Sequence, residues 1–331
     1  MKILLSEKTG GPETLVLRDR PDPVPGPGEV LVAVRCIGVN YPDTLMIEDK
    51  YQFRPERPFA PGAELSGVVE ALGEGVTRFA PGDRVMALPM WGAMAEKVCV
   101  PVDQCHPVPD GVSDADAAAL QMIYGTALYA LEERGDIRPG NTVLVLGAAG
   151  GVGLAAVELA SVLGARVVAA ASSEEKVAMA REHGADEGIV YPRGPLDKDG
   201  QKALSTAFRK VLGEDGADIV VDIVGGDYTE PALRCTGWGG RFLIIGFPAG
   251  IAKIPANLPL LKSCDIRGVF WGAAIQRDPE ANRRAMARLL DLCAEGKIRP
   301  RIHASYPLAE GGAAIAALSG RGVMGKVLVE L

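Results

Sequence analysis

The stretch Thr142-Val-Leu-Val-Leu-Gly-Ala-Ala-Gly-Gly-Val-Gly153 decides how the chain is read. An apolar, β-branched run leads straight into clustered glycines, the pattern of a buried strand that turns tightly into a helix. Gly150, Gly151 and Gly153 leave the backbone free to turn, to approach a pyrophosphate and to pack the next helix on the sheet, and that helix offers its N-terminus to phosphate. Beyond Gly153, Leu154, Ala155, Val157, Leu159, Ala160 and Leu163 cover most of a helical surface, and Gly164 supplies a stop. The frame ending at Gly153 reads Ala148-x-Gly150-x-x-Gly153, with alanine at the first glycine of the usual pattern. The loop alone therefore fits either a nucleotide site or an ordinary strand-to-helix turn. Working outward, a second strand follows at Arg166–Ala171 at the expected spacing, and strand and helix signals alternate for about a hundred residues. That context selects a dinucleotide-binding α/β unit of the Rossmann type.

NAD sites usually carry Asp or Glu at the end of the second strand, where the carboxylate accepts a hydrogen bond from the ribose 2′-hydroxyl. No acid stands there. The chain reads Ala170-Ala171-Ser172-Ser173-Glu174-Glu175-Lys176, offering hydroxyls and a cation that suit a 2′-phosphate. The expected cofactor is NADPH. Alternatively, Ser172 caps the next helix, Glu175 closes a capping box and Lys176 lies in solvent.

Further strands are expected at 188–191, 219–222, 240–246 and 266–270, which completes a doubly wound parallel sheet of six. On the N-terminal side, Pro21-Asp-Pro-Val-Pro-Gly-Pro-Gly28 reads as a rigid connector among short strands at 29–36, 63–71, 84–88 and 95–100, separated by turns such as Pro81-Gly82-Asp83. This predicts a compact, mostly β domain. From about Asp114 the pattern turns helical, through Ala117, Ala118, Leu120, Leu128, Ala130 and Leu131, so a boundary is placed near residue 122. After Pro279 an amphipathic helix over 280–294 ends at Gly296, and 298–331 is expected to rejoin the first domain. The division is 1–122, 123–276 and 277–331, with the nucleotide domain inserted.

The 331 residues exceed the usual size of one core, and 48% hydrophobic content is enough for two. With 35 Lys and Arg against 42 Asp and Glu, the formal charge of −7 gives no electrostatic footprint for nucleic acid or an anionic membrane. The opening Met1-Lys-Ile-Leu-Leu-Ser is too short in apolar length for a signal peptide, and no apolar run reaches the ~18 residues of a bilayer span, so a cytoplasmic protein is expected. Six cysteines lack C-x-x-C spacing and three histidines are dispersed, which predicts buried thiols and no metal site.

The assembled motifs are Gly38-Val-Asn40-Tyr41-Pro-Asp43, Pro61-Gly-Ala-Glu64-Leu-Ser-Gly67, Pro81-Gly-Asp-Arg84-Val, Tyr124-Gly-Thr126-Ala, Ala148-Ala-Gly150-Gly-Val-Gly153 and Gly325-Lys326-Val. Over essentially the whole chain they resemble the zinc-independent quinone oxidoreductase (ζ-crystallin-like) branch of the medium-chain dehydrogenase/reductase superfamily. The resemblance implies a GroES-like catalytic domain into which the Rossmann domain is inserted, and its members share the alanine at the start of the glycine loop. Where zinc-binding relatives have a cysteine and a histidine, this chain has Asn40 and Ala63, and the four-cysteine lobe of those relatives is absent. Without a Lewis acid, the acceptors implied are already electrophilic: quinones, conjugated enones or enoyl thioesters.

The resemblance places Asn40 and Tyr51 at the catalytic cleft, Tyr51 matching a tyrosine that related enoyl thioester reductases use as a proton donor. A packing role for Tyr51 stands beside that one, and Asp43 is read as a loop anchor. For the cofactor it places Thr126 near the nicotinamide amide, Gly150, Gly151 and Val152 at the pyrophosphate, and Ser172, Lys176 and Tyr191 at the 2′-phosphate. Gly246, Phe247, Phe270 and Trp271 are placed beside the nicotinamide, with Lys326 near the closing cleft. Each has a plain alternative: Tyr191 as a strand end, Thr126 bonding a helix carbonyl, the aromatics as core. The activities carried forward are an NADPH-dependent quinone or enone reductase, a reductase of an enoyl thioester aided by Lys50, Arg54 and Arg57, and an NADPH- or RNA-binding protein without turnover. The edge strand at 266–270 implies a homodimer joined there.

Overall fold

The β-branched run Glu29-Val-Leu-Val-Ala-Val-Arg-Cys-Ile-Gly-Val39 forms a single strand, three residues longer than its alternation predicts, because its far end is gripped from both sides. The structure, a computed structural model, describes residues 1–320 and 322–331. It divides into two units: Met1–Met122 with Pro279–Leu331, and Ile123–Asp278.

The first unit begins with the antiparallel pair β1 (Lys2–Leu5) and β2 (Val16–Asp19). β3 (Glu29–Val39) follows, then α1 (Tyr41–Ile47), β4 (Glu64–Leu72), β5 (Arg84–Ala87), β6 (Lys97–Pro101), β7 (Cys105–Pro107) and α2 (Asp114–Leu128), within which the boundary between the units falls. In the second unit β8 (Thr142–Leu146), α3 (Gly151–Val162), β9 (Arg166–Ala171), α4 (Glu174–Glu182), β10 (Glu187–Val190), α5 (Lys198–Leu212) and β11 (Ala217–Asp222) alternate regularly. α6 (Thr229–Leu233), β12 (Thr236–Ile244), α7 (Asn257–Lys262), β13 (Asp265–Gly268) and α8 (Trp271–Arg277) complete it. The chain then returns to the first unit through α9 (Pro279–Ala294), β14 (Ile302–Pro307), α10 (Gly311–Ser319) and β15 (Lys326–Glu330).

Among the described residues the second unit holds a six-stranded, all-parallel sheet in the order β10-β9-β8-β11-β12-β13. Strand order reverses between β8 and β11, the switch point where loops from the carboxyl ends of the strands diverge and leave a crevice. Its core includes Leu144, Val168, Phe208, Val220 and Phe242. β13 ends at Gly268, two residues before its predicted end, because Phe270 already leads into α8.

The first unit holds a seven-stranded sheet among the described residues, ordered β14-β15-β3-β4-β5-β7 with β6 also on β3. β15 pairs antiparallel with β3, Val327 opposite Val39, and β4 pairs on the other side, Glu64 opposite Gly38. This register brings the start of β15, the end of β3 and the start of β4 to one point. Val32, Ile37, Leu65, Met94 and Val329 are among the residues of the core beneath. Among the described residues no helix is long and apolar enough to cross a membrane.

Candidate active site

The glycine loop leaves β8 at the switch point. Gly147 has φ +72°, and at Gly153 a Cβ would meet the Gly147 carbonyl oxygen at 2.1 Å, so only glycine lets α3 pack this close to the turn. α3 starts after Gly150 with no side-chain cap, and the N–H groups of Gly151, Val152 and Gly153 have no acceptor among the described residues. Unpaired N–H groups at the positive end of a helix form a cradle for an anion such as a pyrophosphate. The residues present therefore fit a dinucleotide. The neighbouring loop after β11 is held by buried Asp222, which carried no weight in the sequence. Its Oδ1 accepts from Val224 N–H at 2.9 Å and Gly225 N–H at 2.8 Å, and its Oδ2 accepts from the Thr229 hydroxyl at 2.6 Å.

At the end of β9, Ser173 rather than Ser172 caps α4, accepting from Lys176 N–H at 3.3 Å. The helix starts one residue later than the capping-box pattern predicts, which leaves the Ser172 hydroxyl outside the cap. Tyr191 is buried in the core, its ring 4.9 Å from that of Tyr228, and burial pushes its phenol far up. The structure thus gives it a packing place at the strand end.

Thr126 lies half-buried on α2, and its hydroxyl makes no bond to a helix carbonyl among the described residues. The carbonyl-bonding alternative for it is not seen. Trp271 is buried and begins α8, and its indole lies against Gly125, where a Cβ would come within 2.4 Å of the ring. It therefore braces the helix segment that carries Thr126. Phe247 and Phe270 are half-exposed, Phe247 following Gly246 in the loop after β12. Another network absent from the sequence reading joins α2, α3 and α4. Buried Glu158 on α3 accepts from the Tyr124 hydroxyl at 2.5 Å and contacts His183 Nδ1 at 2.5 Å.

In the β unit the convergence of β3, β4 and β15 assembles a buried polar centre. Asn40 follows β3 and caps α1, and it donates from Nδ2 to Glu64 Oε1 at 2.8 Å and to Gly38 O at 3.1 Å. Its Oδ1 accepts from Lys326 Nζ at 2.6 Å, and the same ammonium ion-pairs with Glu64. Glu64 Oε2 accepts from Met122 N–H at 2.8 Å. Glu64 and Lys326 are 1% and 2% exposed, so neither charge is dispersed into water. Both Asn40 amide hydrogens are spent, which leaves its oxygen one free lone pair and no donor for a substrate oxygen. Lys326, which the resemblance puts near the closing cleft, is bonded here to Asn40 and Glu64. Asp43 anchors the turn through Asn40 N–H at 2.8 Å and Gly62 N–H at 3.1 Å, while burial pushes its carboxyl up to about 6.

Tyr51 is half-buried against the core of the β unit, with Phe53 beside it at 5.9 Å between ring centroids. Burial, and then the Asp43 charge, push its phenol up. It therefore keeps its proton at neutral pH. A zinc ion does not fit this centre. Its donors are an amide already bonded and a carboxylate already paired with an ammonium, Ala63 supplies none, and the buried cation would repel a second one. Among the described residues, no group of three or more His, Cys, Asp and Glu side chains is placed to hold a metal.

Residues 26–110 match the family described as alcohol dehydrogenase GroES-like domain, and residues 151–292 match that described as zinc-binding dehydrogenase. The bovine quinone oxidoreductase-like protein 2 is 40% identical over 307 residues, 92% of this chain and 86% of that protein. The pig quinone oxidoreductase is 31% identical over 328 residues, covering 98% of this chain and 96% of that protein. Among solved structures, the Escherichia coli quinone oxidoreductase in complex with NADPH superposes with a TM-score of 0.89 at 27% identity, covering 100% of both chains. On these matches the chain belongs to the quinone oxidoreductase family of the medium-chain dehydrogenase/reductase superfamily.

Proposed function

We propose that this protein is an NADPH-dependent reductase that delivers hydride to a quinone or an activated alkene without zinc. The observation that carries the zinc-free part is the buried Lys326 ammonium, bonded to Asn40 and Glu64 beside the position where metal-binding relatives place their ligands. Bound NADPH supplies the hydride. The N–H groups of Gly151, Val152 and Gly153 hold its pyrophosphate, Ser172 and Lys176 its 2′-phosphate, and Thr126, braced by Trp271, its nicotinamide amide. Gly246, Phe247 and Phe270 supply the wall beside the ring.

On the acceptor side Tyr51 is the group with a proton to offer, since Asn40 has no N–H left and acts by holding the backbone and Lys326 in register. A quinone needs no such donor, because its reduced oxygens take protons from water, whereas an enolate carbon gains from a placed acid. Reduction of an enoyl thioester is the second reading. Two of the three cations it would recruit are committed nearby: Lys50 pairs with Glu48 at 2.7 Å and Arg57 with Asp49 at 2.7 Å. Quinones and enones are therefore favoured. The net charge of −7 argues against RNA as a partner.

β13 is the outer strand of the parallel sheet, and a second copy pairing there would form the expected homodimer. Sedimentation that finds only monomer at micromolar concentration removes that part. The activity is tested by following NADPH consumption with a small ortho-quinone and with crotonyl-CoA in parallel. Faster turnover of the quinone supports the proposal, faster turnover of the thioester replaces it with the second reading, and NADPH binding without turnover of either refutes both.

A further inference from the structure

The loop after β10 carries an arginine that nothing above uses. Tyr191 N–H donates to Ala171 O at 2.9 Å, so the chain leaving β10 starts beside the end of β9, where the Ser172 to Lys176 segment begins. Two residues on, Arg193 is exposed and forms no ion pair among the described residues. Its backbone is held on both sides by one side chain. The Tyr228 hydroxyl donates to Pro192 O at 2.9 Å and accepts from Gly194 N–H at 2.5 Å. Tyr228 is itself fixed, buried against Tyr191, and just beyond it in the loop Leu196 N–H donates to Asp227 Oδ2 at 3.0 Å. A cation on a pinned backbone loses less freedom on binding than one on a loose loop.

The Arg193 charge also acts on Lys176. The Lys176 ammonium is pushed below its ordinary range, first by burial and then by Arg193, with Glu175 opposing. Two cations on neighbouring strand ends offer complementary charge to one anion.

We propose that Arg193, held in place by the Tyr228 hydroxyl, is a second cation for the 2′-phosphate of NADPH and sets the preference for NADPH over NADH. This rests on the NADPH-dependent function proposed above. The chemistry is a division of labour: a phosphate monoester offers three acceptor oxygens, the planar guanidinium takes two as a fork, and the Lys176 ammonium serves as a point charge. NADH carries a hydroxyl at that position and gains nothing from either. Tyr228 is a positioning residue.

Calorimetric titration of the full chain with NADPH and with NADH, at low and at moderate salt, tests this. Arg193→Ala is expected to weaken NADPH ~10-fold while NADH stays within about twofold, with Arg193→Lys recovering part of the loss. The salt dependence of NADPH binding should flatten at the same time. Tyr228→Phe, which keeps the ring and removes the clamp, is expected to weaken NADPH by about threefold with NADH unchanged. Retained NADH binding in both variants reports an intact fold. Unchanged NADPH binding in Arg193→Ala, or equal weakening of both nucleotides, overturns the assignment. If Arg193→Ala is silent while Lys176→Ala abolishes the preference, NADPH stands and Arg193 falls. A wild-type protein that binds both nucleotides equally removes both.

Discussion

Replacing Lys326 by methionine keeps most of the side-chain volume and removes its positive charge from the buried centre of the β unit. Glu64 is then left with the donors of Asn40, at 2.8 Å, and Met122, at 2.8 Å, but with no counter-ion. Removing one partner of a buried pair costs about 3–5 kcal/mol, and the two surviving N–H bonds place this variant near 3 kcal/mol. Glu64→Gln, which removes the counter-ion but keeps a carbonyl oxygen for the ammonium beside Asn40 Oδ1, is expected to cost less, about 2 kcal/mol. The double variant removes both charges and leaves a neutral, largely bonded cluster, so it should lose only about 1 kcal/mol. The coupling between the two sites is then about 4 kcal/mol, since contacting residues in one network are not additive. Urea unfolding of the four proteins, followed by circular dichroism, reads these differences as midpoint shifts at constant slope. Single variants that each cost less than about 1 kcal/mol and add in the double would show that the two charges do not depend on each other, and would refute a buried ion pair as the organiser of this centre.

Other parts of the account are open to direct tests. Gly153→Ala drives a methyl into the Gly147 carbonyl oxygen at 2.1 Å, so NADPH and NADH should both weaken by ~10-fold or more; affinity within twofold of wild type would contradict the cradle. Tyr51→Phe is expected to slow enone reduction by ~10–100-fold and to leave quinone reduction nearly unchanged, measured as kcat on each acceptor; rates unchanged from wild type on both would make Tyr51 a packing residue. Burial, aided by Arg78 and Arg283, pulls the His106 imidazole from 6.5 to about 4, so the folded chain disfavours its proton. The unfolded chain binds that proton first. This group's contribution to stability is therefore complete above pH 6.5 and is lost as pH falls toward 4, by about 3 kcal/mol. His106→Leu should flatten stability against pH across that window, and an unaltered acid dependence would contradict the assignment.

What could be read from the sequence was what local backbone demands dictate. The glycine loop is legible because a close approach such as that of Gly153 to Gly147 excludes every other residue. β9 appears at its expected bounds because an uninterrupted apolar run allows no other register. Ends were less well defined: the cap of α4 falls on Ser173 instead of Ser172, since two adjacent serines offer the same hydroxyl one residue apart. The polar centre of the β unit was legible only in pieces. Asn40 and Lys326 lie 286 residues apart, and nothing short of the β3-β15 register shows that they touch. Glu64 stood in a recognised motif with no role attached, because an isolated acid in a strand does not reveal that it is buried. Tyr228 gave no signal for a similar reason, because the loop it clamps lies 34 and 36 residues away in the chain. Asp222 holds the turn two and three residues on, a local pattern hidden because the strand's end was read only as a strand.

Metal-free hydride transfer from NADPH is checked by measuring bound zinc and NADPH-dependent quinone reduction on the same sample, before and after exhaustive chelation. Undiminished turnover in protein that holds no zinc, with NADPH preferred to NADH, is the predicted result. Turnover that falls with chelation and returns in proportion to added zinc would contradict it.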